Sequence, residues 1–343
     1  MKDILKTLCS LDSVAGYEDE IRQTIERIAG QYADEVIIDG IGNLLAFKKG
    51  CRPRSCALLV DAQMDEPGWL VGGYTASGLL KLVSSGNVDT RSLTGQRAKV
   101  GPGKIAGTIN HRAVALTSAD ERKSFPDLKD LYVDIGCQSY ECAKALVTIG
   151  EPISLDVPFS EFGDGFIRLK AASSRIGCAV ALKLLSRTLA YDTWFAFTTG
   201  GTIGETGARG AITAGNRLQP DIALILGSAT ANDIPGVQEH KRGSIPGNGA
   251  VVPILDVETV YQRDLRTHVL SSADQSGIRW QYSLESSPGN DGSALHISGH
   301  GAAAFALLAP TRYAHGAVNV VKYGDIESML DLAALFIEEA GGI

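Results

Sequence analysis

The sequence predicts an α/β fold, an alternating strand-and-helix core split by a small β-rich insert. Helix-period segments and short apolar runs of strand type alternate at both ends of the chain. Between about Trp69 and Pro158 the segments shorten and glycine-rich turns multiply, after which the alternation resumes. A chain of 343 residues, 44% hydrophobic and 21% charged, has enough material for a large core and two domains.

In order, residues 3–11 and 17–32 carry apolar side chains at helical spacing, and 36–38, 43–47 and 56–60 are strand-type runs. In the insert, the runs 69–74, 79–83, 98–100, 105–109, 114–117 and 131–135 predict strands, and 140–146 predicts one helix. The core then continues through helix 176–189, strand 194–198, helix 208–218 and strand 222–226, the last followed by Gly227-Ser228-Ala229. Helix 257–273, strands 280–284 and 303–308 and a closing amphipathic helix 326–340 complete it. The expected domains are 1–68 plus 160–343, and 69–159.

A formal charge of -7 with no Lys/Arg block excludes an electrostatic footprint for nucleic acid or a membrane surface. No apolar stretch reaches membrane-spanning length, and the N-terminus runs into an amphipathic helix, so a cytoplasmic protein is expected. Six scattered cysteines make no paired CxxC hooks and are expected to be free thiols.

Chemistry should collect where strands hand over to helices at the carboxyl edge of the sheet. The loop Gly201-Thr202-Ile203-Gly204-Glu205-Thr206-Gly207 occupies such a place, after the apolar run 194–197. It makes no GxxxxGK[ST] phosphate cradle, and Glu205 suits a metal ligand or a helix-dipole cap equally. Asp61, Asp65 and Glu66 cluster at another strand end, where carboxylates hold a cation, act as bases or simply meet solvent. Ser173 and Ser174 precede a helix, and capping is their ordinary role. His296 and His300 are four apart in a glycine-containing stretch that does not stack them as zinc ligands. His315 follows a buried strand and is the best metal-ligand candidate.

Several short stretches, matched in one order over nearly the whole chain, carry a resemblance. They include Ser13-Val14-Ala15-Gly16-Tyr17-Glu18, Asp39-Gly40-Ile41-Gly42-Asn43, Met64-Asp65-Glu66-Pro67-Gly68, Ser174-Arg175-Ile176-Gly177, Gly204 to Ala211, Asn290-Asp291-Gly292 and Thr311-Arg312-Tyr313-Ala314-His315. The chain resembles the M42 metallo-aminopeptidases, also called tetrahedral or glutamyl aminopeptidases. The resemblance implies a three-layer α/β/α catalytic-type domain of the zinc-peptidase kind, with the inserted β-rich domain building the oligomer.

The family places two divalent metals on a His, an Asp, a Glu, a second Asp and a C-terminal His, with another Glu as general base. Matched position by position, the first His is Gln63, the bridging Asp is Ser173, the base is Gly204 and the later Asp is Gly227. Glu205 and His315 survive as residual metal ligands, and Asp65 is retained as the residue that orients the site. A two-metal centre holds its ions about 3.5–4 Å apart through a bridging carboxylate. Serine, glycine and glutamine supply no such charge. The loss of the base alone costs about 10²- to 10⁴-fold in rate.

The implied function is therefore a non-catalytic peptide-binding or assembly subunit. No cofactor is expected; if any binds, it is a single divalent cation, Zn, Co or Mn. Arg312 and Asp291 are the expected contacts for a peptide terminus or small-molecule ligand. Assembly is expected as a homo-oligomer, dimer to dodecamer, or mixed with active paralogues. The alternatives are an active mononuclear site of Asp65, Glu205 and His315 with Glu66 or Asp61 as base, and a hydrolase with Ser173 as nucleophile.

Overall fold

The computed structural model describes residues 1–53, 56–203, 207–283 and 289–340. The chain opens with α1 (Lys2–Cys9), α2 (Asp19–Ala29), β1 (Glu35–Ile38), β2 (Leu44–Lys48) and β3 (Leu58–Gln63). The insert follows as β4 (Gly68–Tyr74), β5 (Leu80–Ser85), β6 (Arg97–Val100), β7 (Ile105–Asn110), β8 (Tyr132–Asp134), α3 (Tyr140–Leu146) and β9 (Pro152–Leu155). Returning to the core are β10 (Ser160–Phe162), β11 (Phe166–Leu169), α4 (Ala172–Leu185), β12 (Thr193–Thr198), α5 (Arg209–Leu218) and β13 (Ile222–Thr230). The last stretch contains β14 (Ala250–Pro253), α6 (Arg263–Gln275), β15 (Trp280–Ser283), α7 (Gly292–Leu295), β16 (Ala303–Arg312), β17 (Asn319–Lys322) and α8 (Tyr323–Ala340).

One mixed sheet runs β1-β2-β12-β3-β13-β16-β17-β11-β10, with β14 and β15 added beside β16. Its centre is parallel: β12 and β13 both pair with β3, and β16 pairs with β13 over nine residues. The strand period of two sorts the side chains. Leu58, Val60 and Ala62 of β3 join a core with α1, α2, α4, α6 and α8, while Leu59 joins a smaller core under α5 and α7. Layers of helix, sheet and helix result. Asp61 and Gln63 share the parity of Leu59, so they lie on the thinner side, near the strand's carboxyl end.

Gly177 fixes how closely α4 approaches this sheet. A Cβ there would lie 2.6 Å from the Leu226 carbonyl oxygen and 3.3 Å from Ala62 Cβ. Gly177→Ala is expected to lower stability by about 1–3 kcal/mol through overpacking against backbone that cannot yield. Urea unfolding would measure it; an unchanged midpoint would contradict the close approach.

The insert closes into a barrel in the order β4-β5-β8-β7-β6-β9. Closure explains one departure from expectation. Residues 114–117 form a 3₁₀ turn rather than a strand, because β7 already pairs on both edges with β6 and β8. The cysteine expectation is corrected as well, since Cys137 and Cys142 are disulfide-linked with Cα atoms 5.7 Å apart. The Ser139 hydroxyl accepts from the Cys142 amide at 3.2 Å and starts α3, turning Cys142 back toward Cys137. Cys9, Cys51 and Cys178 remain thiols. Cysteine usage thus no longer argues for a reducing compartment.

Several core elements begin or end elsewhere than expected: α4 runs from Ala172 to Leu185 rather than over 176–189, β16 continues to Arg312, and α8 starts at Tyr323. The helix predicted from residue 257 starts at Arg263, because the Asp256 carboxylate accepts from the Glu258 and Thr259 amides and the Tyr261 hydroxyl at 2.7–2.8 Å, folding 256–261 into a turn. β13 extends to Thr230, so Gly227 lies within the strand. Among the described residues no helix is long and apolar enough to cross a membrane.

Candidate functional site

A cavity of about 600 Å³ opens beyond the carboxyl ends of β3, β12, β13 and β16, where the barrel meets the sheet. The sheet supplies Gln63, Gly227 and Thr311, the first turn of α4 supplies Ser173, and the barrel side supplies Asn87 and Val88. His315 closes the rim on a turn in left-handed backbone, with φ of 60° at both Tyr313 and His315. Ala171, before α4, is also left-handed at φ 50°. Each such residue costs about 1–3 kcal/mol, and strained residues of this kind gather at binding sites. Here the surroundings hold them. The His315 carbonyl accepts from the Asp89 amide at 2.8 Å, and Asn319 donates to the Tyr313 carbonyl while accepting from the Ala172 amide.

Below the rim lies a buried ionic network. Lys170 Nζ reaches Asp12 at 2.6 Å and Glu66 Oε1 at 2.9 Å, and Arg175 donates to Glu66 Oε2 at 2.9 Å. The Ser13 amide also donates to Glu66, and Arg175 further holds the Ser13 hydroxyl and the Leu11 and Met64 carbonyls. Arg175 is wholly buried. These bonds tie the N-terminal segment, the end of β3 and the start of α4 into one unit. Glu66 is thereby excluded as the base of the alternative mononuclear reading, because its carboxylate is already committed to two cations.

Asp65 is wholly buried and holds the loop after β12. Its carboxylate accepts from the Gly201 and Thr202 amides at 2.9 and 2.7 Å and from the Thr202 hydroxyl at 2.6 Å. Burial outweighs these donors and, with the charge of Glu18, pushes its carboxyl up to about 6. Asp61 and Asp291 form a second carboxyl group cluster deeper in the cavity. Asp291 accepts from the Thr198 hydroxyl at 2.8 Å, and the Asp61 carboxyl, which meets no other donor among the described residues, is paired with that of Asp291 through a shared proton. Burial raises Asp61 well above the usual carboxylate range, reinforced by the nearby charge of Asp291; burial also raises Asp291.

Gln63, Ser173, Gly227 and His315 line this one cavity together with Asp65 and Asp291. Ser173 and Gly227 face each other directly, for a Cβ at 227 would sit 2.9 Å from the Ser173 hydroxyl oxygen. Gly204 and Glu205 lie outside the described residues. The capping role expected of Ser173 and Ser174 is corrected, since Ala171 is the N-cap and both serines lie inside the helix. Arg312 is corrected too. Its guanidinium pairs with both oxygens of Asp233 and stacks over Phe166, and it does not line the cavity. Sequence reasoning missed the Lys170–Glu66–Arg175 network; its only signal was a pair of cations flanking the start of an otherwise apolar helix.

Among the described residues, the positions matched to metal ligands supply one imidazole and no carboxylate. An amide, a hydroxyl and a position with no side chain stand beside His315, and the Asp65 oxygens are already occupied by three donors. Among the described residues no three His, Cys, Asp or Glu side chains are placed to share an ion.

Comparison with known proteins identifies the frame around this cavity. A curated relative from Acetivibrio thermocellus is 30% identical, with 97% of each chain covered. The aminopeptidase of Desulfurococcus kamchatkensis superposes with a TM-score of 0.93 at 27% identity, over 99% of this chain and 94% of that one. The TET1 peptidase of Pyrococcus horikoshii, described as able to assemble into a tetrahedron or a large octahedral shell, gives 0.84 at 27% identity over 98% of each chain. The sequence profile of the M42 glutamyl aminopeptidases matches residues 42–332. With that match spanning most of the sheet and all of the barrel, the chain belongs to the M42 glutamyl aminopeptidase family.

Proposed function

We propose that this chain is a non-catalytic member of its family, a peptide-binding or assembly subunit in which the fold is kept and the hydrolytic centre is lost. One observation carries the reading: Gln63, Ser173 and Gly227, three of the positions matched to metal ligands, share a cavity with His315 and offer no carboxylate among them. A pair of dications there would find no bridging carboxylate at the matched positions to hold both ions or to acidify a shared water. At the matched base position Gly204 has no side chain to take a proton.

The chain is proposed to divide at 1–68 plus 160–343 and 69–159, with the barrel as the assembly module of a homo-oligomer, dimer to dodecamer, or of a mixed shell with active paralogues. Support comes from the relative described as forming a tetrahedron or an octahedral shell.

Restoring the lost groups tests the reading. Purified chain incubated with Zn²⁺, Co²⁺ or Mn²⁺ and desalted is expected to retain no stoichiometric metal and to leave aminoacyl chromogenic substrates intact. The variant Gln63→His/Ser173→Asp/Gly204→Glu/Gly227→Asp is expected to retain about two ions per chain. Stoichiometric metal in the natural chain, with turnover abolished by His315→Ala, would establish the competing mononuclear site of Asp65, Glu205 and His315 instead. Fluorophosphonate labelling lost in Ser173→Ala would establish the serine hydrolase.

A further inference from the structure

We infer that the turn between β16 and β17, residues 313–318, is a strap through which the barrel sets the position of His315, so that displacement of the barrel reshapes the cavity mouth. On the assembly reading above, on which this consequence rests, a second copy docked on the barrel is felt at the rim. By sequence the turn belongs to the sheet, yet what holds it is the barrel. Ala317 is 2% exposed and sits in the barrel's own hydrophobic cluster with Trp69, Leu93 and Ile153, and Val318 packs against that cluster. The hydrogen bonds run the same way. The His315 carbonyl accepts from the Asp89 amide at 2.8 Å, and the Ala317 amide donates to the Ser92 hydroxyl at 3.0 Å. Within 314–317 the other hydrogen bond among the described residues is internal, from the Gly316 amide to the Tyr313 carbonyl.

The ends of the strap are fixed to the other body. Arg312 is paired with Asp233, and Asn319 donates to the Tyr313 carbonyl at 2.7 Å while accepting from the Ala172 amide at 3.0 Å, which ties both ends to the sheet and α4. On the barrel side, Leu93 is fully buried, and the Ser92 and Leu93 amides donate to the Asp89 and Thr90 carbonyls, so residues 89–93 move with the barrel. Between these anchors the strap carries left-handed backbone at Tyr313 and His315. Such conformations persist only while their surroundings impose them. Loss of the barrel's hold therefore has a defined result: 313–317 relaxes and His315 leaves its place on the rim. The chain passes into the barrel at β4 and out after β9, and these strands are paired neighbours, so the covalent joint lies along one edge. Away from it, Lys104 pairs with Glu20 and the Tyr17 hydroxyl donates to the Gly150 carbonyl, exposed contacts of the kind that yield readily.

Hydrogen exchange of the full chain, read by mass spectrometry, tests the strap. Ser92→Ala removes the acceptor of the Ala317 amide, and exchange over 313–319 is expected to quicken about 2- to 10-fold, as loss of one neutral hydrogen bond should. Ser92→Thr, which keeps the hydroxyl, is expected to restore the natural rate, with 303–309 of β16 unchanged in both variants. Unchanged exchange over 313–319 in Ser92→Ala, or equal quickening over 303–309, would overturn the inference. Natural chain separated into dispersed and assembled fractions is expected to exchange more slowly over 313–319 when assembled, because docking steadies the barrel. Equal rates in the two fractions would refute the link between docking and the rim. A chain that stays monomeric at every concentration would instead sink the assembly reading, and the Ser92 variants would still decide the strap.

Discussion

Arg175→Met is expected to lower the free energy of unfolding by about 3–5 kcal/mol, the cost of stranding a buried carboxylate. Arg175 is wholly buried, and removing it leaves Glu66 with Lys170 as its remaining cation while that lysine is shared with Asp12. The same change also releases the Leu11 and Met64 carbonyls and the Ser13 hydroxyl. Pairing it with Glu66→Gln should recover part of the loss, because the uncompensated charge disappears with its partner. Denaturant unfolding of both singles and the double variant decides the matter. Additive losses would mean that Arg175 acts through packing alone.

Asp61→Asn is expected to do the opposite and stabilise the chain, by about 1–3 kcal/mol at pH 8. The substitution removes a buried carboxyl that meets no donor beyond the proton it shares with Asp291, and supplies an N–H toward Asp291. The pH dependence has a definite sign. Because burial and Asp291 raise the Asp61 carboxyl in the folded state, the native chain keeps a proton that the unfolded chain releases above about pH 3.9. Stability of the natural protein therefore falls as pH rises from that value through the folded-state one, and Asp65, at about 6 in the fold, adds a fall of the same sign. The advantage of Asp61→Asn should vanish below about pH 4 and grow toward neutrality. Thermal unfolding across that range measures it; an advantage independent of pH would show that charge is not its cause.

Much of the fold was legible because its periods are strong. The parallel centre, the β-rich insert and the loop after β12 follow from apolar runs and glycine placement. The signals that failed were those set by distant partners. Glu66 reads as a strand-end acid, and nothing near it in sequence announces cations at 170 and 175. Arg312 reads as a cavity cation until Asp233 takes its guanidinium. The start of α6 moved because the Asp256 carboxylate captured amides that a helix would have used. Within the site, the places of Gln63, Ser173, Gly227 and His315 were readable through the family resemblance, whereas Asp61 as a buried carboxyl paired with that of Asp291 emerges only from the parity of β3 and its depth in the sheet.

The barrel has a consequence for how such chains diversify. It is entered by β4 and left by β9, and these strands pair side by side, Trp69 with Ile153 and Leu70 with Pro152. A recombination event could therefore exchange the whole module between relatives as a cassette, with only short stretches of chain to rejoin. Asp89 and Ser92, which fasten the carbonyl of His315 and the amide of Ala317, would have to travel with it. A foreign barrel lacking equivalents of those residues would leave the turn at the cavity mouth unmoored, and transplantation would alter the pocket as well as the outer shell.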